Sequence, residues 1–356
     1  MNKIGILTWH YYKNFGSALQ AYALQETLKK IGCQPQIINY RNPKFGKEDK
    51  IKNYIKLLLN KFGFEYNLYF EQFWKKYMNQ TRLIQSKDQL SQIAKEFNSI
   101  ICGSDQIWAP NVFNPIYMLD FVQNNNVRRI SYAASIGLNY LPQDLKKTYK
   151  NLLSKFNMIS VREKTGQELL EKECGIHSQV VLDPTLLISR KEWEKIVKKP
   201  KEVSKNFIFC YFLNENHKYK EKVKKFAQKY DLQIFGFTTC SDDYKWMTKV
   251  EKIGPCEFLW YIQNSEYVFT DSYHGTIFSL IFYKKFITFE RFNSSDKICQ
   301  NSRLEQLSLY FNLKDNIVSI ENYNIQKINL IDYNKFNLSL CDYQEKSLNF
   351  LKGVLS

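Results

Sequence analysis

Residues 268–282, VFTDSYHGTIFSLIF, set one imidazole between two apolar runs. His274 is one of only four histidines in the chain. The run ending at Phe269 reads as a buried strand, and the run starting at Ile277 as a buried helix. Free N–H groups at a helix start attract anions and lower an imidazole's pKa, so a neutral ring there can move protons. His274 is therefore the first catalytic candidate. Asp271 and Ser272 are either substrate ligands or caps of the helix. Gly275, with no side chain, would let a ligand come close.

Other polar turns follow apolar runs in the same way. His10 and Asn14-Phe15-Gly16-Ser17 follow Lys3–Trp9. The stretch with Asn14, Gly16 and Ser17 resembles a phosphate-cradling turn, though it is neither GxGxxG nor a P-loop, and it could equally be a capped helix start. His10 is either a catalytic or substrate-binding residue or an orienting group for that loop. Gly103-Ser104-Asp105-Gln106 follows Ser99–Cys102. Gly103 and Ser104 are read as substrate contacts and Asp105 as the second catalytic candidate. Arg162 follows Met158–Val161. A guanidinium there could grip a carboxylate or phosphate through two N–H bonds, or lie exposed and paired with Glu163. His177 and His217 lie in surface-like contexts and read as bystanders.

A scaffold must bring these strand ends together. Strand-like runs fall at Lys3–Trp9, Gln36–Tyr40, Ser99–Cys102, Arg129–Ala133, Met158–Val161 and Gln179–Leu182. Helical rhythm falls at Ser17–Ile31, Leu141–Phe156 and Thr165–Glu173, and residues 48–98 read as helical. The alternation restarts after Asp183–Ser189, with strands at Phe207–Leu213, Leu232–Phe237, Tyr267–Phe269 and Phe286–Phe289. The spacing predicts helices at His217–Tyr230, Glu257–Asn264 and Gly275–Tyr283. Two runs of βαβ units predict an α/β protein of two Rossmann-like, doubly wound domains, residues 1–186 and 187–356. Tyr343–Leu355 reads as an amphipathic helix that could pack on either domain. Ligands of open α/β sheets bind beyond the carboxyl ends of the strands. Two such sheets facing a cleft would gather the polar turns into one site.

The chain has 356 residues, 44% of them hydrophobic, which is enough for two cores. It has no apolar run of 18 residues and no signal-peptide pattern at its start, so a cytoplasmic protein is expected. Its eight cysteines show no CxxC or Cys/His spacing, so they read as inert buried thiols and no metal site is expected. Lys+Arg exceed Asp+Glu by 51 − 35 = 16, which favours anionic partners. The excess is mostly lysine, without the arginine clusters and stacking aromatics of a nucleic-acid surface, so no nucleic-acid partner is expected.

IGILTWHYYKNFGSALQAYALQETL, IICGSDQIWAPN, RRISYAASIG, ISVREKTGQELL, VVLDPTLL and TDSYHGTIFSLIF occur in this order over roughly residues 3–283. Together they resemble the polysaccharide pyruvyl transferase family. ERFN and NSRLEQL extend the likeness to about residue 307. The resemblance implies a glycosyltransferase-B-like fold. It implies transfer of a pyruvyl group from phosphoenolpyruvate to a sugar of a cell-surface polysaccharide or its lipid-linked precursor, forming a ketal. Phosphoenolpyruvate would be the donor substrate, and no cofactor is implied. The family's histidine falls on His274, and its arginine after the SV strand on Arg162. Several members carry an arginine two residues before the histidine, where this chain has Ser272. Arg291 and Arg303 are the candidates to hold that part of the donor. A nucleotide-sugar glycosyltransferase of the same fold is the alternative reading. The basic surface adds an expectation of peripheral contact with anionic membrane carrying the acceptor.

Overall fold

The computed structural model describes residues 2–41, 61–200, 203, 206–214, 217–239, 244–292, 300–319, 328 and 330–355. The chain divides into two compact units, Met1–Ile188 with Asp342–Ser356, and Ser189–Cys341.

The first unit contains β1 (Lys3–Leu7), α1 (Phe15–Lys30), β2 (Gln34–Ile37), α2 (Lys61–Tyr77), α3 (Lys87–Ala94) and β3 (Ser99–Cys102). It continues with β4 (Arg128–Ala134), α4 (Gln143–Leu153), β5 (Met158–Val161), α5 (Lys164–Cys174) and β6 (Gln179–Val180). The six strands lie in the order β2-β1-β3-β4-β5-β6, each pair parallel. β3 is buried along its whole length, as parallel strands covered on both faces are. Helix α1 begins where Asn14 Oδ1 accepts the Ser17 N–H at 3.1 Å. It ends before Gly32, whose φ of +87° suits glycine. Leu7, Ile100, Trp108, Tyr149 and Val161 belong to the core beneath. The sequence reads residues 79–84 as helical, but they run beside β2 instead, with parallel bridges Ile37–Gln80 and Tyr40–Ile84. The helical reading of 48–60 lies outside the described residues, as do Cys240, Cys299 and the side chain of His217.

The second unit contains α6 (Arg190–Glu194), β7 (Phe207–Phe212), α7 (His217–Lys229), β8 (Gln233–Thr238), β9 (Thr248–Lys249) and α8 (Pro255–Asn264). Then follow β10 (Tyr267–Thr270), α9 (Tyr273–Ile281), β11 (Lys285–Phe289), α10 (Ser302–Phe311), β12 (Ile317–Val318) and α11 (Tyr333–Leu355). Its sheet order is β12-β11-β10-β7-β8-β9, again parallel throughout. The core is aromatic: Tyr219 stacks on Phe289 with centroids 4.4 Å apart, and Phe212 stacks on Tyr219 at 5.3 Å. From Asp342 onward α11 belongs to the first unit; the sequence reading counts this helix with residues 187–356 and allows it to pack back on the first domain. There Leu351 is fully buried, Ser347 Oγ accepts the Leu182 N–H at 3.0 Å, and Phe350 meets Tyr132 at 6.3 Å.

Candidate active site

Each sheet has one place where the strand order reverses. In the first unit it is β1, flanked by β2 and β3; in the second it is β7, flanked by β10 and β8. Loops leaving opposite faces part there, and the crevice beyond the carboxyl ends is where such sheets take ligands. The polar turns after β1, β3 and β10 fall at these two places, while Arg162, beyond β5, lies two strands further along the first sheet.

In the first unit the turn after β3 is locked to the end of β1. Thr8 Oγ1 donates to Ser104 O at 2.9 Å. The Gln20 amide donates to Thr8 Oγ1 at 3.0 Å, Trp9 O at 3.1 Å and Ser17 O at 3.0 Å, while its Oε1 accepts the Ser104 N–H at 3.0 Å. Ser104 Oγ lies 2.9 Å from Ala133 O and 3.2 Å from Asp183 Oδ2. Asp105 accepts the Ser17 hydroxyl at 2.5 Å and the Gln106 N–H at 2.9 Å. Both of its oxygens therefore hold the loop. Gly103 has φ +114°, and a Cβ there would lie 2.1 Å from Tyr132 O, so the turn demands glycine. The Asn14–Ser17 stretch is the capped start of α1, with Gly16 buried in its first turn.

Arg162 stands differently from the open clamp expected at a strand end. Its side chain is 1% exposed, with Nη1 at 2.8 Å from Asp183 Oδ2 and Nε at 3.9 Å from Glu163 Oε2. Glu163 Oε1 also accepts the Ser135 hydroxyl at 2.9 Å and the Ile136 and Gly137 N–H groups at 3.0 Å each. The guanidinium thus neutralises carboxylates that hold the ends of β4 and β6. His10 is fully buried, and burial lowers its pKa to about 4, so the ring is neutral at neutral pH. Its Nδ1 lies 3.2 Å from Thr8 O. A ring closed off in this way orients the β1 loop and offers a substrate no surface.

In the second unit the Asp271 carboxylate ties the two strands at the reversal together. It accepts the Leu213 N–H at 2.7 Å and the Asn214 N–H at 2.9 Å, just beyond β7. Burial raises its pKa from 3.8 to about 6, although Arg291 and the N–H groups pull the other way. Ser272 is the N-cap of α9, its Oγ 3.4 Å from the Gly275 nitrogen. Thr270 Oγ1 donates to Tyr211 O at 2.7 Å and accepts the Ser272 N–H at 3.0 Å. A Cβ on Gly275 would lie 2.4 Å from that same Thr270 Oγ1. The glycine therefore makes room for Thr270.

His274 is the second residue of α9 and 7% exposed. Its ring meets Tyr273 edge-on at 5.3 Å. Arg303, near the start of α10, places its guanidinium 5.8 Å from the centroid of Tyr273. Tyr273 is therefore flanked by an imidazole and a cation at a helix N-terminus. Such a set can move a proton and hold an anion. Sequence reasoning missed Tyr273, Asp183 as the partner of Arg162, and Gln20. Gln20 gave no signal because a lone amide in a helical rhythm reads as an exposed face. Among the described residues no group of His, Cys, Asp and Glu could hold a metal ion, and no helix is long and apolar enough to cross a membrane.

The family model for polysaccharide pyruvyl transferase matches residues 14–293. No curated protein matches the chain. Among solved structures, the chain is similar to UDP-GlcNAc 2-epimerase from Neisseria meningitidis bound to UDP-GlcNAc, at 11% identity and TM-score 0.54, covering 98% of this chain and 94% of that one. It is also similar to UDP-N-acetylglucosamine 2-epimerase from Rickettsia bellii, at 8% identity and TM-score 0.54, covering 100% and 97%. A third is UDP-GlcNAc 2-epimerase from Methanocaldococcus jannaschii, at 13% identity and TM-score 0.51, covering 98% and 93%. At these identities the likeness concerns the fold, the two-domain α/β class with parallel sheets. The family match takes in Asn14–Ser17 and the turns after β3 and β10, and the chain belongs to the polysaccharide pyruvyl transferase family, a family of transferases acting on polysaccharide sugars.

Proposed function

We propose that the protein transfers a pyruvyl group from phosphoenolpyruvate to two hydroxyls of one sugar, in a cell-surface polysaccharide or its lipid-linked precursor, forming a pyruvate ketal. One observation carries this reading: His274 stands in the first turn of α9, with Tyr273 linking it to Arg303. The imidazole supplies acid and base, while the helix start and Arg303 supply positive potential for phosphate and carboxylate. Balanced chemistry follows from those roles. A first sugar hydroxyl adds to C2 of the donor while C3 gains a proton and becomes a methyl group, with His274 moving the protons. The second hydroxyl then bonds to C2, the C2–O bond to phosphate breaks, and the proton leaves with phosphate. Phosphoenolpyruvate is consumed as substrate, and no cofactor enters.

The reading puts the enzyme in the cytoplasm, with peripheral contact at the inner membrane face where a lipid-linked acceptor would lie. The formal charge of +16 supports attraction to anionic lipid, and such contact would weaken with salt. The test is to incubate the protein with phosphoenolpyruvate and a panel of free and lipid-linked glycosides, and to follow phosphate release and ketal formation. Glycoside-dependent release, lost in His274→Ala, is expected. Sugar transfer from nucleotide sugars run in parallel, with phosphoenolpyruvate inert, would replace the reading by a glycosyltransferase.

A further inference from the structure

Glu290 is the first residue beyond β11, at the carboxyl end of the second sheet. Its N–H still bonds to Val318 O at 3.0 Å, just as the Thr288 N–H bonds to Asn316 O at 2.7 Å. The alternation of the strand therefore carries on through Glu290. Thr288 Oγ1 lies 2.8 Å from Thr276 Oγ1, so this face of β11 meets α9. Phe289 points the other way and stacks on Tyr219 of α7. Glu290 thus shares the α9 face with Thr288. Two strand residues advance about 6.6 Å, the rise of about four helical residues. Because β10 and β11 are parallel, α9 runs back between them, and four residues back from Thr276 is Ser272. Glu290 is therefore level with the N-cap of α9, at the turn that carries Tyr273 and His274.

The neighbouring carboxylate is committed to the fold and this one is not. Asp271 accepts the Leu213 and Asn214 N–H groups on its two oxygens. Among the described residues, no hydrogen bond or ion pair holds the Glu290 carboxylate. The residue is half-buried, partly out of water yet open to a ligand. Burial, and then the like charge of Glu305 on α10, raise its pKa above the ordinary 4.5. The other charged or titratable side chains of the surrounding elements are Arg291 next to it, Asp271 beyond β10, His274 on α9 and Arg303 on α10. A carboxylate that the fold leaves unused, and that its surroundings make more basic, is suited to taking a proton.

The transfer proposed above removes two hydroxyl protons per turnover and delivers one to carbon and one to phosphate. One imidazole cannot give and take at the same moment. We propose that Glu290 is the second proton carrier, the base that takes the proton of the first attacking hydroxyl. As the bond from that hydroxyl oxygen to C2 forms, its proton passes to the Glu290 carboxylate while His274 gives a proton to C3. The second hydroxyl then bonds to C2 and the C2–O bond to phosphate breaks. His274 takes that hydroxyl's proton, and Glu290 gives its own to the departing phosphate. Both groups end as they began. This rests on the reading above in that a sugar hydroxyl is the attacking group, but not on the identity of the donor.

The test measures phosphate release from phosphoenolpyruvate, and sugar transfer from nucleotide sugars, with the same panel of glycosides for wild type, Glu290→Gln and Glu290→Asp. Glu290→Gln keeps the size of the side chain and should keep the melting temperature. It should lower kcat about 10²-fold or more while the donor KM stays within about threefold. Glu290→Asp, whose carboxylate is one methylene short, should fall between wild type and Glu290→Gln. If Glu290→Gln does not fold, Glu290→Ser takes its place. Turnover within about threefold of wild type in the folded variant overturns the proposal. So does a carboxyl carbon-13 NMR titration of the full chain, without substrate, in which the resonance missing from the variant titrates at or below 4.5. Sugar transfer from a nucleotide sugar that is lost in Glu290→Gln, with phosphoenolpyruvate inert, would support Glu290 and sink the donor assignment alone.

Discussion

Arg162 and Asp183 face each other at 2.8 Å with side chains 1% and 0% exposed. Asp183 also accepts the Thr185 N–H at 3.0 Å and its hydroxyl at 2.7 Å, so one carboxylate joins the end of β5 to the turn after β6. Removing one partner of a closed pair strands the other charge, at a cost of about 3–5 kcal/mol. Asp183→Asn should therefore lower the unfolding free energy by most of that amount, seen as a lower urea midpoint. Arg162→Met should lower it too, since it leaves Asp183 and Glu163 without their cation. A residue used only for donor capture would behave otherwise: Arg162→Met would keep the wild-type midpoint and lose only affinity for phosphoenolpyruvate. Paired urea titrations and donor-binding isotherms separate the two roles.

His10 and Asp271 should tilt stability in opposite directions with pH. The folded pKa of His10, about 4, lies below the ordinary 6.5. Its contribution is present above pH 6.5 and is lost as pH falls through 4, on the order of 3 kcal/mol. The folded pKa of Asp271, about 6, lies above 3.8. Its contribution is present below pH 3.8 and is lost as pH rises through 6, by a similar order. Each single variant should expose the other tilt. His10→Gln should lose stability more steeply than wild type as pH climbs from 4 to 6.5, and Asp271→Asn should gain it more steeply. Urea unfolding at half-unit pH steps reads this directly, and curves parallel to wild type would refute the burial-driven shifts.

The strands were legible because they are continuous apolar runs between polar punctuation, and β3 and β5 fall where Ser99–Cys102 and Met158–Val161 put them. The edge strands β9 and β12 have two residues each, too few to show any period. The segment bridging β2 was hidden because it is a short stretch between α2 and α3, where only tertiary pairing holds the chain extended. Polar positions were found readily, but their partners were not. Arg162 and Asp183 are twenty-one residues apart, and only the parallel register of β5 and β6 brings them together. For the same reason a turn such as Gly103-Ser104-Asp105 cannot be sorted from sequence into ligand contact or loop brace. Both uses call for small polar groups beyond a buried strand.

Gly275 gives a test of that distinction. A Cβ at this position would crowd Thr270 Oγ1, the atom that links Tyr211 O to the Ser272 N–H. Gly275→Ala alone should destabilise the second unit, by an amount typical of overpacking, about 1–3 kcal/mol. Adding Thr270→Ala removes the obstructing hydroxyl and methyl, so the double variant should be less damaged than the sum of the two single ones. Strict additivity in a double-mutant cycle would mean that the glycine serves something other than Thr270.

His274 should be separable from the fold. Its ring meets Tyr273 edge-on, and α9 is capped by Ser272, not by the histidine. His274→Gln should keep the melting temperature and bind phosphoenolpyruvate, yet lose turnover by roughly 10²–10⁴-fold, the usual share of a positioned acid–base group. Turnover within threefold of wild type would remove the ring from the chemistry.

Ser272 occupies the position where the resemblance puts an arginine in several family members, and Arg303 reaches the same neighbourhood from α10 through Tyr273. If Arg303 holds the donor's anionic end, Arg303→Met should weaken phosphoenolpyruvate binding about tenfold to a hundredfold, the worth of one hydrogen bond to a charged group. Restoring a cation from the other side should recover part of it: Arg303→Met with Ser272→Arg should bind more tightly than Arg303→Met alone. The recovery will be incomplete, because losing the serine cap costs α9 about 1 kcal/mol. Isothermal titration of the two variants against wild type decides the matter. Wild-type affinity in Arg303→Met would take Arg303 out of the site, and an equal deficit in both variants would mean that the cation must come from α10.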